Sequence, residues 1–308
     1  MTKSNANMYQ TITDKIIAQL ESGIRAWHKP WSMSRGVAPV AGMPIRHNGQ
    51  PYQGINVVLL WGAAAEAGYS ANTWMTYKQA KDLGAFVRAG EKSTTIVYAN
   101  TFAKEVQDKN GETVFQKIPF LKTYAVFNVG QIENLPAHYY GTVELPPLPA
   151  RIDAAESFFQ NVGARVKESR SNQAYYSPAL DQIAMPLFAQ FESPESFYSV
   201  LGHEHVHWTG HEKRCARKFG AVKGDEDYAF EELVAEIGAA FLCAHLGLTD
   251  EPRRDHADYI ASWLKVLRGN NRAIFKAAAA AQKAVNFMIG QQPGITIADD
   301  EDVQEKAA

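Results

Sequence analysis

Cysteine is scarce in this chain, and its scarcity excludes a fold that depends on several disulfide bonds. Only two cysteines occur among 308 residues, Cys215 and Cys243, and they form no paired motif. Long apolar runs are also missing, since none approaches the roughly 18 residues that span a bilayer. The first residues, Met-Thr-Lys-Ser-Asn-Ala-Asn-Met, lack the apolar core of a signal peptide. These absences predict a soluble protein of the reducing cytoplasm with no membrane partner.

Charge is nearly balanced over the whole chain but not within its two halves. The formal net charge is −2, yet residues 1–140 hold 14 lysines and arginines against 9 acidic residues. Residues 141–308 hold 17 against 24. Between the halves, three prolines in the four residues 146–149 predict a stiff connector rather than a helix.

We therefore predict an α+β protein of two domains. Residues 1–140 form an α+β nucleic-acid-binding domain, 141–150 a proline-rich linker, 151–290 a mostly helical domain with a small edge sheet, and 291–308 an acidic disordered tail. Apolar periodicity predicts helices at 9–20, 53–67, 77–83 and 152–162, and one long helix at 256–289. Strands are predicted at 94–99 and 121–128, around a hairpin turn at 109–112, and as an edge strand at 181–186 beside the motif helix.

The strongest motif in the chain is His-Glu-x-x-His at residues 203–207. On a helix, His203 and His207 lie on one face, so that both imidazoles reach one Zn²⁺. Glu204 lies beside the first histidine, where its carboxylate can accept a proton from a metal-bound water. Apolar spacing over 196–201 and Gly210 after the motif favour a buried helix, whereas the alternative is an exposed helix that is merely rich in histidine.

A zinc site needs a third protein ligand, and the sequence offers two candidates. His211 follows the motif closely, but Lys213 stands where the metzincin pattern places its last histidine, and an ammonium group cannot ligate. The second candidate is a helix over 228–242, on which Glu232 and Glu236 share an otherwise apolar face. Burying two carboxylates is costly unless a metal neutralises them. Glu231 is turned about 100° from Glu232, so we expect it to face solvent.

This arrangement of acidic residues resembles that of the gluzincin metallopeptidases. The resemblance implies that Glu232 completes a ligand set with His203 and His207, which hold one Zn²⁺ per chain. It also implies that Glu236 holds the other ring nitrogen of His203. The alternative is an amphipathic helix with solvated glutamates.

The chemistry expected at such a site is metal-assisted peptide hydrolysis. Glu204 would accept the proton of the attacking water and pass it to the leaving nitrogen. A donor to the tetrahedral oxyanion is also needed, and Tyr228, His211 and His245 are the candidates.

The N-terminal half interleaves aromatic and cationic residues. Aromatic rings stack on unpaired bases and cations follow the phosphate backbone, whereas no recognition helix with a clustered basic face is visible. The pattern favours single-stranded DNA over duplex, and plain core tryptophans are the alternative. The candidate DNA-contacting residues are Trp27, Lys29, Trp31, Trp74, Lys78, Lys81, Arg88 and Lys92, with Lys122 as a further phosphate contact.

Longer strings carry a resemblance to a known family. They lie at 8–14, 27–31, 52–56, 73–80, 90–93, 126–128, 203–211 and 228–236. Through them the chain resembles the ArdC-type antirestriction proteins of conjugative plasmids over about residues 8–285. The resemblance implies an N-terminal domain that binds single-stranded DNA, a C-terminal zincin-like metallopeptidase domain, and protection of incoming plasmid DNA from host restriction.

Three hypotheses follow from these patterns. In the first, the protein is a zinc peptidase, acting on an unidentified protein substrate, that is brought to single-stranded DNA. In the second, it is a DNA-binding shield whose zinc serves mainly to fold the C-terminal domain. The third, a zinc nuclease, lacks the several metal-binding carboxylates or the His/Asn-rich motif that such an enzyme needs. The presence of Glu204 favours the first hypothesis, because a structural zinc site has no use for a base.

Overall fold

A computed structural model describes residues 3–24, 27, 42–107, 113–140, 148–220, 225–248 and 256–295 of the chain. The predicted α+β class is confirmed within these residues, which mix helices with three small sheets. The α-helices there are α1 Lys3–Glu21, α2 Ile55–Ala67, α3 Tyr77–Asp82, α4 Leu148–Val162, α5 Pro194–Thr209, α6 Glu226–His245, α7 His256–Gly269 and α8 Ala273–Ile289. The strands are β1 Ile45–Arg46, β2 Thr73–Met75, β3 Phe86–Val87, β4 Thr94–Gln107, β5 Thr113–Asn128, β6 Ile132–Glu133, β7 Arg165–Ser169, β8 Tyr175–Ser177 and β9 Gln182–Pro186.

The N-terminal half contains a sheet of order β1-β2-β5-β4 and a small two-stranded sheet of β3 and β6. Strands β4 and β5 pair antiparallel without a register break from Thr94↔Val126 to Gln107↔Thr113. We call this long pair the β-ribbon. Its predicted hairpin turn at 109–112 lies outside the described residues. Helix α2 packs on the base of the β-ribbon, where the Asn56 side chain bonds the backbone N–H and C=O of Val97.

The C-terminal half is organised around α6, which packs between α5 and α8. Leu233, Ile237 and Phe241 on α6 are fully buried, and each such side chain contributes about 1.5–3 kcal/mol through its removal from water. Helices α5 and α6 approach closely at Gly238, where a Cβ atom would lie 2.7 Å from a methyl group of Val206. This close approach brings the motif helix and the glutamate helix into direct contact.

The two halves share one hydrophobic core, because buried residues of both belong to a single contiguous cluster. Trp61 on α2 packs edge-on against Phe241 on α6, with ring centroids 5.8 Å apart. Tyr9 on α1 packs in the same way against Phe275 on α8, at 4.7 Å. Residues 141–147 of the predicted linker and 296–308 of the predicted tail lie outside the described residues.

Three sequence predictions about elements are wrong. The helix after the linker begins at Leu148 rather than at residue 152, because Pro149 falls in its first turn, where a missing N–H costs nothing. The predicted helix at 256–289 is two helices, α7 and α8, which separate after Gly269.

The third correction concerns the predicted edge strand at 181–186. Strand β9 lies in the middle of a sheet of order β7-β9-β8, so β8 is the edge strand nearer the motif helix. Among the described helices, none is both long enough and apolar enough to cross a membrane.

Candidate metal centre

The motif histidines lie on the face of α5 that packs against α6. Helix α5 begins after Ser193, whose hydroxyl accepts a hydrogen bond from the backbone N–H of Ser196, with Pro194 in the first turn. His203 and His207 are 2% and 9% exposed, and both meet Glu232 of α6, which is 7% exposed. The two helices therefore bring together the three residues that the sequence suggested as ligands.

The spacing of the three side chains fits a single metal ion. The Nε2 atoms of His203 and His207 lie 3.1 Å apart. Nε2 of His203 lies 3.5 Å from Oε2 of Glu232, and Nε2 of His207 lies 3.5 Å from Oε1 of the same carboxylate. Tetrahedral zinc with nitrogen and oxygen ligands at about 2.0–2.2 Å separates its ligand atoms by about 3.3–3.5 Å. The donor set thus has the chemistry of a zinc site, and its separations of 3.1–3.5 Å are equal to or slightly shorter than the edges of a regular tetrahedral site.

The second ring nitrogen of each histidine faces a carboxylate. Nδ1 of His203 lies 3.3 Å from Oε1 of Glu236, as the resemblance to gluzincins implied. Nδ1 of His207 lies 3.2 Å from Oε1 of Glu231. The expectation that Glu231 faces solvent is wrong, since this residue is 3% exposed. A carboxylate on Nδ1 fixes the tautomer that leaves Nε2 free to bind a metal.

Arg217 explains why a charged Glu231 is tolerated in the interior. Its guanidinium donates to both carboxylate oxygens of Glu231, at 2.9 and 2.7 Å, and also to the Thr209 hydroxyl and the Val206 carbonyl. Burial raises the pKa of Glu231, but the bonds to His207 and Arg217 outweigh it and hold that pKa below its ordinary value. The loop that follows α5 is therefore tied to the metal centre.

Contacts between α5 and α6 determine which side chains of the site are ionised. Burial raises the pKa of Glu232, but its hydrogen bonds to the two histidines hold it well below the usual range. Burial lowers the pKa of His207, yet the hydrogen bonds to Glu231 and Glu232 raise it to about 10. The ionised Glu232 carboxylate is thus ready to ligate, and a metal has to displace a proton from His207.

A cavity of about 540 Å³ opens onto this group, with Glu204, His207 and Glu232 in its wall. Tyr228 and Tyr259 form part of another wall, with their hydroxyl groups 3.3 Å apart. The remaining lining comes from the edge strand β8, its flanking residues, the loop before α6, and α6 itself: Asn172, Gln173, Ala174, Tyr175, Tyr176, Pro178, Phe219, Gly220 and, on α6, Glu231. The candidate base therefore lies in the same open cleft as two of the candidate ligands, His207 and Glu232.

Among the three candidate oxyanion donors, only Tyr228 lines this cleft. Burial, the hydroxyl of Tyr259 and the charge of Glu232 raise the pKa of Tyr228, so its phenol stays protonated and can donate. His211 accepts a hydrogen bond from the backbone of Lys213, and His245 lies beside Phe158 at the far end of α6. Sequence reasoning missed Tyr259, because nothing marks a tyrosine on a helix that begins 24 residues after Glu232.

The candidate DNA-contacting residues are placed less favourably. Trp27 is 2% exposed and packs against Trp263, while Trp74 is 1% exposed and packs against Tyr69. Both tryptophans belong to the core, so neither ring is available to stack on a base, and that prediction is wrong for them. Lys29 and Trp31 lie outside the described residues.

The other candidate cations that the structure describes are at the surface. Lys78, Lys81, Arg88 and Lys92 are all exposed. Two of these cations are ion-paired, Lys78 with Asp82 at 3.1 Å and Arg88 with Glu91 at 2.6 Å.

Comparison with known proteins matches both halves of the chain. A model described as the N-terminal domain of anti-restriction factor ArdC matches residues 6–127, and one described as a zincin-like metallopeptidase matches residues 153–280. The metal-free crystal structure of antirestriction protein ArdC from plasmid R388 is 44% identical, with a TM-score of 0.75, over 92% of this chain and 97% of that one. This chain belongs to the ArdC antirestriction family.

Other members and relatives extend the comparison. The Mn(II)-bound structure of the R388 ArdC protein is 43% identical, with a TM-score of 0.75, over 94% of this chain and 99% of that one. The uncharacterized protein y4eC of Sinorhizobium fredii is 37% identical over 93% of this chain and 92% of its own length. A DNA primase TraC of Escherichia coli is 34% identical over 94% of this chain, which spans only 28% of that primase. The two-domain ArdC architecture with a zincin-like second domain is thus confirmed.

Proposed function

We propose that this protein is a cytoplasmic antirestriction protein that binds single-stranded DNA and cleaves peptide bonds at a zinc centre. One observation carries the enzymatic part. His203, His207 and Glu232 lie together at the spacing of metal ligands, and His207 and Glu232 line an open cleft together with Glu204. A structural zinc site is closed by four protein ligands, whereas a catalytic site keeps one position open for water or substrate.

The roles of the side chains follow from their places in the cleft. The metal, when bound to His203, His207 and Glu232, would polarise the scissile carbonyl and lower the pKa of bound water. Glu204 would accept the proton of the attacking water and return it to the leaving nitrogen. The phenol of Tyr228 would donate to the carbonyl oxygen as negative charge develops there. An extended peptide would pair with β8, the free edge of its sheet.

A purely structural metal is disfavoured by the relatives. The R388 ArdC protein has a metal-free and an Mn(II)-bound structure, and both superpose on this chain with the same TM-score of 0.75. The shared fold therefore forms with and without a metal in that protein. This argues against the hypothesis of a DNA-binding shield whose metal serves folding alone.

We propose zinc as the working metal. Two imidazoles and one carboxylate are the ligands that catalytic zinc takes in many peptidases. A site of nitrogen and oxygen ligands also binds Zn²⁺ more tightly than Mn²⁺, which is the weakest binder among the divalent first-row metals from manganese to zinc. One structure of the R388 protein is Mn(II)-bound, so manganese is the competing choice. A measurement of metal content after purification without added metal tests this choice.

Support for DNA binding comes from charge and from the relatives. Lys81 and Lys92 are exposed cations of the basic half, where phosphate contacts are expected. The relatives include an antirestriction protein and a DNA primase. We propose that the N-terminal half holds single-stranded DNA and that this binding underlies the protection of incoming plasmid DNA.

The experiment compares wild type, Glu204→Gln and the surface control Glu212→Gln, all full length and zinc-loaded. Each is incubated with a peptide library prepared from bacterial lysate, and new N-termini are labelled and sequenced. Each is also tested for protection of a plasmid transferred into a restricting host. We expect Glu204→Gln to retain about one metal per chain but to cleave about 10²–10⁴-fold more slowly, while Glu212→Gln cleaves like wild type.

The outcomes separate the competing functions. Equal cleavage by wild type and Glu204→Gln would remove the peptidase assignment. Loss of cleavage together with full plasmid protection by Glu204→Gln would favour the shield, with proteolysis serving another purpose.

A further inference from the structure

Aromatic rings form a ladder on one face of the β-ribbon. Tyr98 pairs with Lys122 across the two strands, so both side chains share a face with Phe120 and Tyr124, two residues to either side of Lys122. The ring of Tyr98 lies 6.0 Å from that of Phe120 and 6.4 Å from that of Tyr124. All three rings are partly exposed, and Lys122 is exposed with its ammonium 5.4 Å from the Phe120 ring.

The charge of this face is one-sided. Within the described strands, 94–107 and 113–128, the alternate positions that share the face with Tyr98 include no aspartate or glutamate. The opposite face carries Glu105 and the exposed ring of Phe115. Lys92 is exposed two residues before β4 begins, at the base of the same ribbon. A cation, Lys122, thus lies next to the rings, and in the described strands no acidic side chain shares their face.

We propose that this face of the β-ribbon, formed by Tyr98, Phe120, Lys122 and Tyr124, is the stacking platform for single-stranded DNA. The inference rests on the proposed function, which assigns DNA binding to the N-terminal half without locating it. Successive aromatic rings along a strand suit single-stranded DNA. Its unpaired bases expose faces that can stack on the rings, whereas the bases of a duplex are already stacked on one another. Lys122, which stands among the rings, would meet the phosphates between the stacked bases.

This location differs from the tryptophans expected from the sequence. Trp27 and Trp74 have the right chemistry but are buried, whereas the ladder residues remain partly exposed. A second exposed apolar group, Tyr77 and Phe86, is the competing surface in the same half. Their rings come from separate elements, α3 and β3, and no ring contact between them extends a ladder in the described part of the chain.

The test measures, by fluorescence anisotropy, how tightly the full-length protein binds fluorescein-labelled oligo(dT) of about 20 nucleotides. A duplex of equal length is measured for comparison. The ladder variant is Tyr98→Leu/Phe120→Leu, which keeps apolar side chains that suit a strand. Its matched control is Phe115→Leu, a ring on the opposite face of the same ribbon, and Lys122→Gln tests the cation. We expect the ladder variant to bind oligo(dT) at least about 10-fold more weakly. Lys122→Gln should bind a few-fold more weakly, and Phe115→Leu should match wild type.

A wild-type measurement guards against loss of folding in the variants. Oligonucleotides with 5-iododeoxyuridine are photocrosslinked to wild type, and we expect the modified residues to be Tyr98, Phe120 or Tyr124. Crosslinks confined to Tyr77 and Phe86, or wild-type affinity in a folded ladder variant, would overturn the platform while leaving DNA binding intact. Failure of wild type to bind oligo(dT) at all would instead overturn the DNA-binding part of the proposed function.

Discussion

The metal centre buries charge, whereas the β-ribbon exposes aromatic rings. Glu231 and Glu232 are 3% and 7% exposed. Glu231 contacts the His207 imidazole and the Arg217 guanidinium, and Glu232 contacts the imidazoles of His203 and His207. Tyr98 and Phe120 remain partly exposed. A folded protein ordinarily does the reverse, so both regions depart from the rule that polar groups face water and rings face the core. Such a departure often marks a functional surface, which makes each region a place to look for a ligand.

The two regions should differ most in their contribution to stability. Arg217→Met leaves the buried carboxylate of Glu231 without its guanidinium partner, so we expect about 3 kcal/mol of lost stability. Urea unfolding of metal-free protein measures this loss. The control Arg88→Met breaks an ion pair at the surface, where water replaces the partner, and should unfold like wild type. Equal effects of the two substitutions would show that Glu231 is not sustained by Arg217.

A smaller effect is expected from the carboxylate behind His203. Glu236→Gln keeps the shape of the side chain but weakens the hold on Nδ1 of His203, so metal affinity should fall about 10–100-fold. Competition with a chromophoric chelator measures the affinity. Glu212→Gln, a surface change in the same half, serves as the control. An unchanged affinity would mean that His203 is positioned by packing alone.

The smallest effect concerns a single exposed cation in the basic half. Lys81→Gln should weaken binding of oligo(dT) a few-fold and reduce the slope of log affinity against log salt by about 0.7. Anisotropy titrations between low and moderate salt measure both quantities. Lys218→Gln, an exposed cation of the C-terminal half, should leave the slope unchanged. If Lys218→Gln lowered the slope and Lys81→Gln did not, DNA would contact the C-terminal half instead.

The metal centre was readable from the sequence because ligand chemistry imposes spacing. Two histidines four residues apart on a helix share one of its faces. A glutamate on the apolar face of a second helix is costly to bury unless a partner such as a metal neutralises it. Glu231 was missed because its partner, Arg217, lies in a loop that folds back onto α6. A lone arginine in a loop carries no sequence signal.

The N-terminal half was harder to read because burial depends on tertiary contacts. Trp27 is covered by Trp263, more than 200 residues away in the sequence, and residue type alone does not reveal such a contact. The break between α7 and α8 had a signal, Gly269-Asn270-Asn271, which the apolar periodicity on both sides obscured. No sequence pattern indicated that β9 is the central strand of its sheet, because the neighbouring strand β7, Arg165–Ser169, is exposed throughout and lacks an apolar pattern.

Metal content tests the central claim most directly. Wild type, His207→Ala and the neighbouring core variant His205→Gln are purified without added metal, and bound metals are quantified by mass spectrometry. His205 bonds the Leu201 carbonyl and lies outside the ligand group, so its variant, if folded, should keep the metal. We predict about one zinc per chain in wild type and loss of most of it in His207→Ala. Stoichiometric zinc in folded His207→Ala would contradict the ligand set, and with it the catalytic centre proposed from this cleft.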